Sequence, residues 1–232
     1  SGSGKTTLLR VIAGFEVPDS GRVFFQGRDI TNLPAHERGI GFVFQNFALF
    51  PHLTVRQNIA FGMANGAVPV SAQETAQRTQ AIIDMVGLTG MEDRGVDQIS
   101  GGQRQRVALA RTLVMQPKLV LLDEPLGALD ANLRGRIRNE LRAIRERMGV
   151  TFLHVTGSET EALAMGDSVV VLDRGRIIQR GAPDDVYSTP ASPDVAHFLN
   201  RFNLFDGTLS GGNFTGPFGT VAAPKVTRVA RD

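Results

Sequence analysis

The chain opens on residue types that can bind a phosphate group. Residues 1–6 match the second half of the phosphate-binding pattern G-x-x-x-x-G-K-[ST], in the run Ser1, Gly2, Ser3, Gly4, Lys5 and Thr6, with Thr7 after it. Glycines let backbone amides turn toward an anion, and a helix that follows directs its positive end to the same point. We therefore expect Lys5 to reach the β- and γ-phosphates of a nucleotide and the Thr6 hydroxyl to bind Mg²⁺. Half a motif taken alone is also compatible with a Gly/Ser-rich linker before an ordinary helix.

A second motif supplies two acidic side chains. Asp123 and Glu124 follow directly on the apolar run 119–122, which has the length and composition of a strand buried on both faces. Ligands of parallel sheets bind at the carboxyl ends of the strands, where these acids emerge. We expect Asp123 to hold Mg²⁺ through a water molecule, and Glu124 to orient and polarise an attacking water. The alternative is a buried strand followed by a solvated acidic turn.

A third motif lies at the start of a predicted helix that runs to residue 113. It consists of Ser100, Gly101, Gly102 and Gln103, in which the serine and the glutamine have the spacing of a capping box. The serine hydroxyl and the amides beside the glycines form a second candidate anion site. One chain needs only one γ-phosphate site, unless the second serves a nucleotide held by another subunit. Taken alone, the segment is also compatible with an ordinary capped helix.

The elements that must position these motifs alternate between helix and strand. Helical periodicity or capping residues indicate helices at residues 6–13, after 71, at 101–113, at 133–148 and after 158, and apolar runs indicate strands at 23–25, 41–44, 119–122 and 151–156. Asp173, Arg174 and Gly175 predict a hairpin between two further strands. Alternation of this kind predicts an α/β fold with a mostly parallel sheet flanked by helices. After residue 203 the helical period disappears, so we predict one domain over residues 1–200 and the start of a β-rich domain over 201–232.

Composition narrows the classes of function. The chain has 232 residues and no cysteine, which excludes a disulfide scaffold, a thiolate zinc site and a cysteine nucleophile. Its net charge of +2 leaves no basic excess typical of nucleic-acid binding, so we expect no nucleic-acid partner. No apolar run reaches the ~18–20 residues that cross a bilayer, so any membrane role would need a partner. The first glycine of the phosphate pattern and its strand would precede Ser1, and the β-rich domain would continue past Asp232, so we expect both ends to be truncated.

Taken in this order, the motifs resemble those of ATP-binding subunits of ABC transporters. Residues 100–103 resemble the signature of that family, Gln45 in the run Phe-Gln-Asn resembles its Q-loop glutamine, and Asp130 resembles the aspartate of its D-loop. The resemblance implies the P-loop NTPase cassette fold with a helical subdomain. It also implies a dimer that holds two ATP molecules, each between one phosphate loop and the opposing signature, with Asp130 coupling the subunits. Gln45 would then contact Mg²⁺ and the attacking water.

Further segments resemble one branch of that family. Residues 47–62 and 181–190 resemble segments of the ATP-binding subunits of bacterial importers. Residues 203–209 resemble the first strand of the C-terminal regulatory β-barrel found in importers of polyamines, iron, sulfate or sugars. This resemblance implies a homodimer or a paired ATPase subunit, bound to integral membrane permease subunits at the cytoplasmic face of the bacterial inner membrane. A periplasmic or lipid-anchored substrate-binding protein would be an indirect partner. The cargo itself is bound by those other subunits.

The sequence departs from the family at one position. After the strand at 151–156 the family has a switch histidine that contacts the γ-phosphate, and this chain has Gly157. His154 lies three residues upstream, about 10 Å away on the opposite face of the strand, so we expect it to pack within the strand and not to substitute. Two alternatives to an active importer subunit stay open here. One is a degenerate module that binds ATP and dimerises with weak turnover; the other is a soluble ABC ATPase of DNA repair or translation, which usually carries a second cassette or a coiled-coil insert.

Overall fold

The computed structural model of the chain describes residues 2–66, 70–127, 131–199 and 205–222. Its helices are α1 (Lys5–Ala13), α2 (Val55–Asn65), α3 (Ala72–Met85), α4 (Gly101–Leu113), α5 (Ala131–Met148), α6 (Glu159–Met165), α7 (Pro183–Ser188) and α8 (Pro193–Phe198). Its strands are β1 (Phe24–Phe25), β2 (Arg28–Asp29), β3 (Ile40–Val43), β4 (Leu119–Asp123), β5 (Thr151–Val155), β6 (Val169–Asp173), β7 (Arg176–Gly181), β8 (Thr208–Ser210), β9 (Asn213–Gly216) and β10 (Gly219–Ala222). Within these ranges, every helix is too short or too polar to span a bilayer.

A parallel sheet forms the centre of a compact unit that covers residues 5–157. Strand β4 lies between β3 and β5, and the pairing places Asp123 opposite Val155. The last four residues of β4 are buried, as expected for a strand covered on both faces. The predicted α/β fold with a parallel sheet is confirmed, and the acidic pair emerges at the carboxyl edge of that sheet.

Helix α1 packs against β4 through a small apolar cluster. Leu9 and Ala13 of the helix are buried against Leu121 of the strand. The helix ends at Gly14, whose φ of 85° lies in the left-handed region that glycine tolerates. The buried guanidinium of Arg38 donates to the carbonyls of Val11 and Ile12, at 2.8 and 2.9 Å, and so satisfies the last turn. These contacts fix where the start of α1 lies relative to β4.

Helices α2 and α3 pack beside α4 in the same unit. Thr54 and Gln57 form a complete capping box at the start of α2, and Ser100 and Gln103 form the predicted one at the start of α4. At α3 the cap is one-sided: Ser71 accepts the Glu74 N–H, while the Glu74 carboxylate pairs with Arg78. The buried side of α4 is apolar, with Val107, Leu109 and Leu113 at or near complete burial.

A second compact unit comprises the described residues of 158–222 together with residues 2–4. The predicted hairpin is present as β6 and β7, and its turn residues Arg174 and Gly175 have φ of 44° and 76°. Val169 and Val171 of this hairpin pack on Val186 of α7 and Val195 of α8. Strands β8, β9 and β10 form a separate antiparallel sheet. Residues 200–204 lie outside the described residues, so the domain boundary at residue 200 and the β-rich domain stay predictions.

Candidate functional site

The glycines of the phosphate loop adopt backbone conformations that side chains disfavour. Gly2 and Gly4 have φ of 89° and 88°, and α1 begins at the next residue, Lys5. L residues avoid this region, because their Cβ crowds the backbone. Lys5 and Thr6 are half-buried at the start of the helix and Thr7 is exposed, while Ser1 lies outside the described residues. The local backbone is therefore a glycine turn that leads directly into a helix N-terminus, which is the arrangement that binds anions.

Thr6 and Asp123 come together at the carboxyl end of β4. The Thr6 hydroxyl donates to an Asp123 carboxylate oxygen at 3.0 Å, although 117 residues separate them in sequence. Asp123 is buried at the end of its strand, and the packing of Leu9 on Leu121 brings the start of α1 beside it. A hydroxyl beside a carboxylate is the kind of oxygen donor pair that suits Mg²⁺, which takes only one or two protein carboxylates and completes its shell with phosphates and water.

Gln45 and Glu124 form the second contact at this edge of the sheet. The Gln45 amide donates from Nε2 to Glu124 Oε2 at 3.1 Å. Gln45 follows the end of β3, and Glu124 follows the end of β4, so parallel pairing of the two strands brings them together. Glu124 has a φ of 45°, which for an L residue costs roughly 1–2 kcal/mol. Its N–H donates to the Val155 carbonyl and its carbonyl accepts the Gly127 N–H, both at 3.0 Å, and these bonds hold the tight turn.

The third motif forms a helix start with its polar side chains engaged. The Ser100 hydroxyl accepts the Gln103 N–H at 3.3 Å, and the Gln103 side chain accepts the Ser100 N–H at 2.8 Å. Gly101 is exposed, and a Cβ there would meet nothing within 4 Å. In the described part of the chain these two polar side chains bond only to each other's backbone, so this motif is not joined to Gln45, Asp123 or Glu124. It presents an open helix N-terminus on its own.

Position 157 is open and unstrained. Gly157 follows β5 by two residues, its φ lies outside the left-handed region, and a Cβ at this position would meet nothing within 4 Å. His154 lies within β5, opposite Leu122, with Nε2 buried and unpaired. Burial lowers the pKa of His154 to about 4, so the ring is neutral at pH 7. These positions agree with the expectation that His154 packs in its strand. Asp130 lies outside the described residues.

Two polar side chains near the site had no signal in the sequence. Arg111 of α4 donates to the carbonyls of Phe47 and Ala48, just after Gln45, at 3.0 and 2.8 Å. Asn58 of α2 is fully buried and bonds to both the N–H and the carbonyl of Phe50. Neither residue has motif spacing relative to the loop. Only the packing of α2 and α4 against it reveals their contacts.

Comparison with known proteins adds a family to this geometry. A family model described as ABC transporter matches residues 1–127. The chain is 50% identical over 225 residues to the sulfate/thiosulfate import ATP-binding protein CysA of Caulobacter vibrioides, covering 96% of the chain and 66% of that protein. It is 49% identical to the Fe(3+) ions import ATP-binding protein FbpC of Photobacterium profundum, covering 91% and 60%. It is also 49% identical to the spermidine/putrescine import ATP-binding protein PotA of Acidothermus cellulolyticus, covering 90% and 54%. The chain thus spans between about half and two thirds of the length of these relatives.

Two solved structures share the fold. The ATP-binding cassette MJ0796, in a dimeric post-hydrolysis state bound to ADP and Pi, matches with a TM-score of 0.67 at 31% identity, over 78% of this chain and 81% of that chain. The cbiO1 protein of Clostridium perfringens, part of the ABC transporter complex cbiONQ, matches with a TM-score of 0.74 at 31% identity, over 87% and 82%. The structural and the sequence comparisons therefore point to the same family.

Proposed function

This chain belongs to the ABC transporter family, and we propose that it is the ATP-binding subunit of a bacterial importer, which couples ATP binding and hydrolysis to uptake across the cytoplasmic membrane. The observation that carries the proposal is the pair of hydrogen bonds at the carboxyl edge of the sheet, Thr6 to Asp123 and Gln45 to Glu124. They support the proposal because one joins a hydroxyl to a carboxylate, oxygen groups of the kind that suit Mg²⁺, and the other joins a second carboxylate to an amide. The importer names of the sequence relatives support the same reading, whereas nothing in the comparisons supports a degenerate module.

The site residues have three roles: some bind the phosphates, some bind the cation, and others position the attacking water. Lys5 and the amides around Gly2–Gly4 bind the phosphates of ATP, with Ser1 and Thr7 at the two ends of the loop. Thr6 and Asp123 would hold Mg²⁺, the latter through water, with Gln45 as a further ligand. Bound there, the cation would neutralise charge on the phosphate oxygens. Glu124 orients and polarises the attacking water, and Gln45 fixes the orientation of the Glu124 carboxylate.

A second ATPase subunit completes each site. We propose that Ser100, Gly101, Gly102 and Gln103 of one subunit bind the γ-phosphate of the ATP held by the other, with Asp130 coupling the two. The start of α4 is open at Gly101, and among the described residues no side-chain hydrogen bond joins this motif to Gln45 or Glu124. Both observations support a role in binding another molecule. The dimeric state of a related cassette supports it further. The dimer is either a homodimer or a pair with another ATPase subunit.

The remaining partners follow from the same proposal. The subunit acts at the cytoplasmic face of the inner membrane on integral permease subunits, with a substrate-binding protein as an indirect partner, and residues 201–232 begin a regulatory β domain. Relatives named for sulfate, iron and polyamine import are 49–50% identical to this chain. Near-equal identity to three cargo classes indicates that the cassette does not choose the cargo.

The test is hydrolysis by the full-length protein, assembled with its permease, and by its Glu124→Gln variant. We expect Glu124→Gln to bind MgATP as tightly as the wild type, to release phosphate at less than about a tenth of its rate, and to stabilise the ATP-bound dimer. The matched control is Glu146→Gln, because Glu146 is largely exposed on α5, where it pairs with Arg142 of the same helix. A Glu124→Gln variant that keeps more than a tenth of the wild-type rate would show that this carboxylate does not act on the water.

A further inference from the structure

The loop that carries Gln45 has a strained backbone. Phe47 and Ala48 have φ of 64° and 44°, two consecutive L residues in the left-handed region that the Cβ disfavours. The Phe47 N–H donates to the Phe44 carbonyl at 2.9 Å, which closes a four-residue turn with Gln45 as its second residue. The direction of the Gln45 side chain therefore depends on what holds residues 47 and 48 in place.

Arg111 of α4 holds them. Its Nη2 donates to the Phe47 carbonyl at 3.0 Å and its Nη1 to the Ala48 carbonyl at 2.8 Å. The guanidinium also lies 5.2 Å from the centre of the Phe50 ring. In the described part of the chain no carboxylate pairs with Arg111, and burial lowers its pKa. The partly buried guanidinium therefore interacts with two loop carbonyls and one aromatic ring of this loop.

Asn58 anchors the far end of the same loop. Its side chain accepts the Phe50 N–H at 2.9 Å and donates to the carbonyls of Phe50, Leu53 and Thr54 at 3.0–3.1 Å. These bonds begin only at residue 50. Among the described residues, Arg111 alone provides a side chain from outside the loop that hydrogen-bonds to residues 46–48. The turn around Gln45 therefore depends on Arg111 more than on Asn58.

We propose that Arg111 is a positioning residue for ATP hydrolysis: it fixes the turn at residues 44–48 so that the Gln45 amide meets the Glu124 carboxylate. The inference rests on the proposed function, since it concerns the residues assigned there to the attacking water. Gln45 and Glu124 act on the water, whereas the phosphates are held by Lys5 and the glycine turn, and the cation keeps Thr6 and Asp123 when Gln45 is displaced. Loss of Arg111 therefore lowers kcat and leaves KM for ATP nearly unchanged.

Three variants of the full-length protein measure the effect. Arg111→Gln should lower kcat at least about tenfold with KM within about twofold, as expected when an interaction that matters only in the transition state is lost. Arg111→Lys should lose most of the rate as well, because one ammonium cannot reproduce the planar fork that reaches two carbonyls. Adding Ala48→Gly to Arg111→Gln should recover at least about threefold of kcat, because glycine accepts a left-handed φ without penalty and Ala48 is exposed.

The decisive comparison uses Gln45→Ala. If Arg111 acts through Gln45, adding Arg111→Gln to Gln45→Ala should lower kcat by no more than about a further twofold, since residues in one unit have non-additive effects. Losses that multiply would mean that Arg111 acts independently of Gln45, and the proposal would be wrong. The matched control is Arg106→Gln, another partly buried arginine of α4, which pairs with Glu140 at 2.6 Å. It should lower the melting temperature while kcat of the folded protein stays within about twofold of wild type.

Hydrogen exchange separates this inference from the proposed function. Amides in residues 44–50 should exchange at least about tenfold faster in Arg111→Gln than in wild type, and unchanged in Arg106→Gln, whether or not the protein hydrolyses ATP. An inactive wild type would refute the proposed function, but amide exchange in residues 44–50 would still test the positioning role of Arg111. Unchanged exchange in this segment would refute the positioning role. If Arg111→Gln does not fold, Arg111→Lys carries the same comparison.

Discussion

Replacing Gly157 with histidine should accelerate hydrolysis. Position 157 lies two residues beyond the carboxyl end of β5, and Val155 in that strand pairs with Asp123 and accepts the Glu124 N–H at 3.0 Å. A side chain at 157 therefore emerges at the same edge of the sheet as the acidic pair. The family resemblance implies a histidine here that contacts the γ-phosphate, so we expect an imidazole to restore one donor to the transferred phosphate.

The structure sets the size of the gain. A preorganised donor to developing charge contributes about 2.7–4 kcal/mol, or a factor of about 10²–10³ in rate. The φ of Gly157 lies outside the left-handed region, and a new Cβ would meet nothing within 4 Å. Neither the backbone nor the neighbouring atoms therefore oppose the substitution. Ordering an imidazole that was not selected for this loop costs roughly 1 kcal/mol. The net gain of about 1.7 kcal/mol or more corresponds to at least a tenfold rise in kcat.

The assay is steady-state phosphate release at saturating MgATP by the full-length protein with its permease. Gly157→His should raise kcat at least about tenfold while the affinity for ATP changes less than the rate, because the ground-state phosphates are held elsewhere. Gly157→Leu is the control, since it fills the same space without a donor, and it should give no gain. Equal rates for Gly157→His and wild type would refute the reasoning, because the open position would then not face the γ-phosphate.

Two further predictions concern acid and metal. The pKa of His154 is about 4 in the fold and about 6.5 when unfolded, so the folded chain binds fewer protons between these values and the free energy of unfolding falls as pH drops from 6.5 to 4, by up to about 3 kcal/mol. Urea unfolding against pH should show this slope, and His154→Gln should remove it; a variant with the same slope would assign the acid sensitivity elsewhere. Removing Mg²⁺ with EDTA should abolish phosphate release, and Thr6→Ala should raise the Mg²⁺ concentration for half-maximal rate about tenfold. An unchanged Mg²⁺ requirement in Thr6→Ala would exclude its hydroxyl as a ligand.

Local patterns predicted the elements, because their causes are local. The capping spacing of Ser100 and Gln103, the apolar run before Asp123 and the turn at Arg174 and Gly175 each depend on a few neighbouring residues, and the structure contains all three features. Other predictions stay untested by the fold. Asp130 and the boundary at residue 200 lie outside the described residues, and the roles assigned to the site residues await the experiments above.

Spacing rules do not reach contacts between distant elements. Gln45 and Glu124 are 79 residues apart, and only the family resemblance assigned both to the attacking water. Arg111 and Phe47 are 64 residues apart, and neither spacing nor resemblance predicted their contact. The left-handed φ values of Phe47, Ala48 and Glu124 also had no signal, since residues other than glycine adopt them only when the surrounding structure enforces it. In each case the enforcing group comes from another element: Arg111 of α4 for the first two, and the Val155 carbonyl of β5 for Glu124.

Helix α4 connects these observations. Its first residues carry the Ser-Gly-Gly-Gln motif proposed to bind the nucleotide of the partner subunit, and Arg111 near its end holds the turn around Gln45 in its own subunit. The ten helical steps from Gly101 to Arg111 correspond to about 15 Å along one rigid helix. In the proposed dimer, a shift of α4 caused by the partner's γ-phosphate would move the Arg111 guanidinium and therefore the Gln45–Glu124 contact. Each subunit would then position its own attacking water only when the partner's nucleotide is bound.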